Sequence, residues 1–97
     1  MSKSKAMHDW QSRVAELGCI ACEKIGYHGT PAELHHIRET AGGGQKSGDD
    51  EVVPLCPAHH RGTMHPLTPS IHLDRRVFIE QFGSEVELLA EVKRRLA

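Results

Sequence analysis

Two short motifs constrain this chain more than any other feature: Cys19-x2-Cys22, within "CIAC", and Cys56-x2-His59, within "VVPLCPAHHRG". The chain has 97 residues, of which 38% are hydrophobic, and its large aromatics are Trp10, Tyr27, Phe78 and Phe82. A domain of this size lies near the lower end of what one apolar core supports, and it commonly needs disulfides or a metal as a staple. Three cysteines cannot all pair, which argues against a disulfide framework and for a reducing compartment. Zinc takes four soft or borderline donors in a tetrahedron, and two knuckles with two-residue gaps supply them. The set Cys19, Cys22, Cys56 and His59 uses every cysteine and leaves no odd thiol. A thioredoxin-like redox pair at "CIAC" is the competing reading, but it gives Cys56 and His59 no role.

The remaining pattern predicts an α+β domain spanning 1–97. Met7, Trp10, Val14 and Leu17 recur at helical spacing before Gly18, so a helix is expected over about residues 5–17. "CIAC" reads as a tight turn. "ELHHI" (33–37) and "EVVPL" (51–55) read as short strands, with Pro54 restricting the second to an edge or an end. The stretch between them, 39–50, contains "GGG" and reads as a flexible loop. Pro57 suits the first turn of a short helix capped by Cys56. Asp74 is placed to cap a helix ending at Phe82, with Val77, Phe78 and Phe82 inward. Ser84 and Glu87 form a capping-box pattern ahead of a last helix whose Val86, Leu89, Ala90 and Leu96 are expected to face the core.

Histidine is the compositional outlier, with eight residues. Neutral imidazole is the commonest metal ligand and the usual general base near neutral pH. With His59 assigned to zinc, His60 projects about 100° away on the same turn, towards the strand carrying His35 and His36. Adjacent strand residues face opposite ways, so one of that pair can meet a metal shared with His60 while the other meets a substrate. The bland alternative is a set of histidines that only hydrogen-bond around the zinc.

Taken together, "C-x2-C … LHHI … GGG … EVVPLC-x2-HH" resembles the HNH endonucleases, also called His-Me finger or ββα-metal nucleases, over a core motif at residues 19–60. The flanks "VAELGCIAC" and "SIH…FIEQFG" resemble the phage recombination-enhancement (recombinase-dependent) nucleases more closely. The resemblance implies a single zinc-stapled ββα-metal domain with an N-terminal helix and two C-terminal helices, acting as a metal-dependent DNA endonuclease. It implies His36 as general base, and His35 and His60 as ligands of one catalytic divalent ion, Mg2+ or Mn2+, with Zn2+ an alternative occupant. A third ligand falls to His72 or His65, and His72 is favoured because "SIH" directly precedes a capped helix. The chain has no asparagine, so the middle letter of the HNH motif is absent, and Glu51 or Asp50 takes its place as the brace of the base-bearing loop. A zinc-stabilised nucleic-acid-binding module without catalysis is the alternative from another class.

Composition bounds the partners. Net charge is −1 at pH 7, which advertises no nucleic-acid surface. Three thiolates with Zn2+ contribute −1 and a catalytic dication +2, so the loaded protein comes out near neutral. Attraction for DNA is then expected to be local, through Arg38, Lys46, Arg61, Arg75 and Arg76. That suits an enzyme recruited by a partner already on DNA, such as a recombinase filament. No apolar run approaches a signal peptide or membrane span, so the expected location is the cytoplasm of a bacterial host, with a phage or prophage origin.

Overall fold

The computed structural model describes residues 4–38, 48, 50–62 and 68–97. Its order is helix α1 (Lys5–Glu16), α2 (Ile20–Lys24), strand β1 (Glu33–His36), β2 (Val52–Leu55), then α3 (Pro57–His60), α4 (Arg75–Phe82) and α5 (Glu85–Leu96). The class is α+β, as expected, and β1, β2 and α3 form a small ββα unit inside a helical wrap.

Local chemistry sets each boundary. The Ser4 side chain accepts from Met7 N to start α1, and Gly18, at φ 78°, follows the C-cap Leu17. A Cβ on Gly18 would lie 3.2 Å from the Thr30 carbonyl oxygen. Both backbone sign and space therefore select glycine there. "CIAC" is not a simple turn. Cys19 caps a five-residue helix, its sulfur accepting from Cys22 N, so the knuckle is built on a helix N-terminus. The Ser84–Glu87 capping box is present with both reciprocal bonds.

The two strands pair antiparallel, with His35 opposite Val53 and His36 opposite Val52. Pro54 is tolerated because each strand of this two-stranded sheet has an open edge. Val52, Val53 and Leu55 are completely buried, since α1 and α5 as well as α2 and α3 all pack on β2. Such a strand reads as a continuous apolar run, which "VVPL" is. Phe78 and Phe82 meet with their rings tilted, 5.0 Å between centroids, in the same core cluster as Cys19, Cys22 and Cys56.

Two facing assignments differ from expectation. Val77 is 52% exposed, and in α5 the buried positions are Glu85, Leu88, Leu89 and Val92, whereas Val86 and Ala90 face out. The helix is rotated so that its first residue, a glutamate, points into the protein. Ion pairs tie the last helix across the fold: Lys24 to Glu91 at 3.0 Å and Arg95 to Glu23 at 3.0 Å. Among the described residues no helix is long and apolar enough to cross a membrane.

Candidate functional site

The four knuckle residues converge. Cys22 Sγ and Cys56 Sγ are 3.7 Å apart, and His59 Nδ1 lies 3.6, 3.5 and 3.3 Å from the sulfurs of Cys19, Cys22 and Cys56. A tetrahedron with Zn–S of about 2.3 Å and Zn–N of about 2.05 Å has edges of roughly 3.75 Å between sulfurs and 3.55 Å between sulfur and nitrogen. The observed spacings match those edges to within about 0.3 Å. All four side chains are buried. Burial pushes the Cys19 thiol up to about 12 and raises Cys22 as well, so these sulfurs ionise at neutral pH only beside a cation. Burial also lowers His59, which keeps its imidazole in the neutral, ligating form. Phe82 and Phe78 pack edge-on against the His59 ring at 5.1 and 6.5 Å and fix its plane. This cluster can hold a metal such as zinc.

A second cluster lies one residue further along α3. Donor atoms of His35, His60 and His72 all fall within 4.8 Å of one another, with ring centroids 4.8 to 5.2 Å apart. Each ring comes from a different segment of the chain. His35 is the buried residue of β1, and His60 ends α3. His72 is brought in by backbone bonds from Ile71 N to His59 O (2.8 Å) and His72 N to His60 O (3.3 Å). Gly62 makes this return possible: at φ 88°, its missing Cβ would sit 2.5 Å from Leu73 Cδ1.

Two carboxylates brace the imidazoles. Glu33 Oε1 accepts from His60 Nδ1 at 2.8 Å and from Arg61 Nε at 2.7 Å. Glu85 Oε2 accepts from His35 Nε2, while its Oε1 takes Arg38 N at 2.9 Å and Arg75 Nη2 at 2.6 Å. Burial pushes both carboxyls up. The donors outweigh it, holding Glu33 below its ordinary value and Glu85 down at about 2. Burial, followed by the neighbouring histidines, lowers His72; in His60 burial and the charge of its neighbours prevail over the pull of Glu33. Neutral imidazoles backed by carboxylates are the form in which histidine binds metals. Three imidazole donors, two of them backed by carboxylates, suit a first-row transition ion better than the all-oxygen shell that magnesium prefers.

The site residues expected from sequence are therefore distributed as follows. Cys19, Cys22, Cys56 and His59 come together, and so do His35, His60 and His72. His36 is exposed, paired across the sheet with Val52 and alternating away from His35. Arg38 and Arg75 line an open cleft of about 400 Å³ with Ile71 and His72. Arg61 is turned onto Glu33, and Arg76, 92% exposed, pairs with Glu80 at 3.4 Å. Lys46, His65 and most of the 39–50 loop lie outside the described residues. At the loop's end Glu51 O accepts from Ile37 N at 3.1 Å and Glu51 Oε1 from Gly48 N at 3.1 Å, while Asp50 O takes Trp10 Nε1 at 3.0 Å. Glu33 and Glu85 went unrecognised in the sequence; only the rule that a ligating histidine needs a carboxylate behind it would have prompted a search for them.

A family model described as recombination enhancement, RecA-dependent nuclease, matches residues 5–97. The chain belongs to this family. The match takes in both histidine-bearing clusters and the C-terminal helix that supplies Glu85, and it links the protein to nuclease activity in recombination. No curated protein matches the chain.

Proposed function

We propose that the protein is an endonuclease of the HNH type, hydrolysing DNA phosphodiesters with a divalent ion at the three-histidine cluster while zinc at the sulfur cluster holds the fold. One observation carries this reading: His35, His60 and His72 converge beside an arginine-lined cleft, two of them backed by carboxylates. The ion, when bound, supplies charge stabilisation for the phosphate and the leaving oxygen. His36 acts as general base, removing a proton from the attacking water, and its exposed position keeps it open to a docked strand. Arg38 and Arg75 orient the phosphate from the cleft, and Glu51 steadies the junction where β1 ends and the loop returns. Arg61, Arg76 and Lys46 contribute outer phosphate contacts. The donor set favours Mn2+ over Mg2+, with Zn2+ able to occupy the same place. The weak overall charge and the family membership together support a chain, of phage or prophage origin, that works on DNA already carrying a recombinase filament in the bacterial cytoplasm.

Plasmid nicking with Mn2+ or Mg2+, abolished by chelator and stimulated by recombinase-coated DNA, is the expected result. His36→Ala should cut about 100-fold more slowly, the usual share of general-base catalysis, with calorimetric metal affinity unchanged. A protein that binds zinc and DNA but never nicks under any divalent ion refutes the assignment and leaves a zinc-stapled binding module.

A further inference from the structure

Glu85 is the first residue of α5, a place where an acid ordinarily points into water and gains only a few tenths of a kcal/mol from the helix dipole. Here it has no exposed surface at all. A carboxylate leaves water at a cost of several kcal/mol unless good donors compensate it, and donors from two stretches of the chain, His35 with Arg38 and Arg75, do so. One oxygen serves His35 Nε2; the other serves the Arg38 backbone and the Arg75 guanidinium. Those partners fall into two groups with different tasks. His35 belongs to the three-histidine cluster, whereas Arg38 and Arg75 line the cleft beside it.

We propose that Glu85 is a positioning residue of the nuclease centre, one oxygen orienting the ligand His35 and the other setting the two arginines that receive the phosphate. The proposal rests on the nuclease reading above and extends it from the ββα unit to the C-terminal helix. With Nε2–H committed to Glu85, His35 offers Nδ1 to the ion. Glu33 does the complementary thing for His60, taking Nδ1 and leaving Nε2. Glu33 differs in being a third exposed and in having Arg61 as its other partner, which stands 64% exposed. Glu85 joins the ion ligand His35 and the cleft-lining Arg38 and Arg75 in a single, fully buried carboxylate. A glutamate serving only the fold would need those donors too, but its removal would not shift which nitrogen of His35 meets the ion.

The test uses protein already carrying one zinc, with zinc alone as the probe of the second centre. In Glu85→Gln the second equivalent should bind about 10- to 100-fold more weakly, the usual effect of losing a ligand's carboxylate partner. The nicking kcat should fall by a similar factor and recover in part at high metal, and KM for DNA should rise as Arg75 loses its anchor. Long-range proton–nitrogen spectra of the wild-type protein loaded with two zinc equivalents supply a readout independent of the variant's folding. They should show His35 protonated at Nε2 and metal-bound at Nδ1. Metal at Nε2, or a folded Glu85→Gln with unaltered second-site affinity, overturns the proposal. If the wild type takes one zinc only and fails to nick, the nuclease reading falls and this inference with it. If it nicks and takes two while Glu85→Gln behaves as wild type, this inference alone falls.

Discussion

Replacing Cys56 by alanine isolates what the sulfur centre contributes to folding. Its side chain makes no capping bond to α3, so the substitution removes a metal donor and little else. A zinc ion there would close the chain across the 33 residues between Cys22 and Cys56. Treated as a cross-link, a closed loop of that size removes about 12.5 cal/mol/K from the unfolded ensemble, or about 4 kcal/mol at 25 °C. The whole stability of such a domain is about 5–15 kcal/mol. Losing about 4 kcal/mol should lower the melting temperature by about 15–30 °C, at about 4–8 °C per kcal/mol. His59 remains as the sole donor on the far side of the loop, so zinc should dialyse away against chelator from the variant and not from the wild type. The assay is zinc content by elemental analysis alongside urea and thermal unfolding. A Cys56→Ala protein that keeps one zinc per chain through dialysis, or that melts within a few degrees of wild type without it, refutes the cross-link argument.

Further outcomes are expected at the second centre and its surroundings. His60→Ala should weaken catalytic-metal binding while leaving zinc at the sulfur centre, and its nicking should return at high metal; wild-type metal affinity in this variant would show that His60 is not a ligand. Acid should destabilise the fold in two stages. His59, His60 and His72 all have lowered values in the fold, so their contribution is complete above their ordinary 6.5 and declines as pH falls below it. Glu85, depressed from 4.5 to about 2, contributes fully above pH 4.5 and is lost as pH drops towards 2. Urea midpoints from pH 8 to 3 check both, and a midpoint that rises on acidification would contradict them. For DNA binding in a His36→Ala background, about three to five phosphate contacts should give a salt slope of about −0.9 for each, and Lys46→Ala should reduce it by about one contact. A slope implying eight or more contacts would reveal a basic surface not described above.

What could be read from the sequence was whatever short spacing encodes. The two knuckles, the capping box at Ser84 and the divergence of His59 from His60 along one helical turn depend on residues at most three apart. His72 was reachable because it adjoins a helix start. Glu85 was not. Its partner His35 is 50 residues away, and an acid at the start of a capped helix already has a sufficient local explanation. The same contact accounts for the error over α5: turning Glu85 inward carries Leu88 and Val92 into the core and Val86 and Ala90 out of it. In α4, Val77 lies at a helical spacing compatible with the core, but Phe78 and Phe82 already fill the space against His59. Periodicity locates a helix; tertiary polar contacts decide its rotation.

Helix α3 is only four residues long, too short to sustain itself, because nucleating a single turn is unfavourable in water. Its shape is held from outside, by packing on β1 and β2 and by Cys56 and His59 at the sulfur cluster. His60 is the next residue, so the three-histidine cluster is anchored to the same turn as the sulfurs. An ion of another radius among the cysteines would tilt this turn and move His60 with it. On the proposed reading, the sulfur cluster would serve as the datum from which the cutting centre is positioned, and the metal it holds would govern how accurately that centre is assembled.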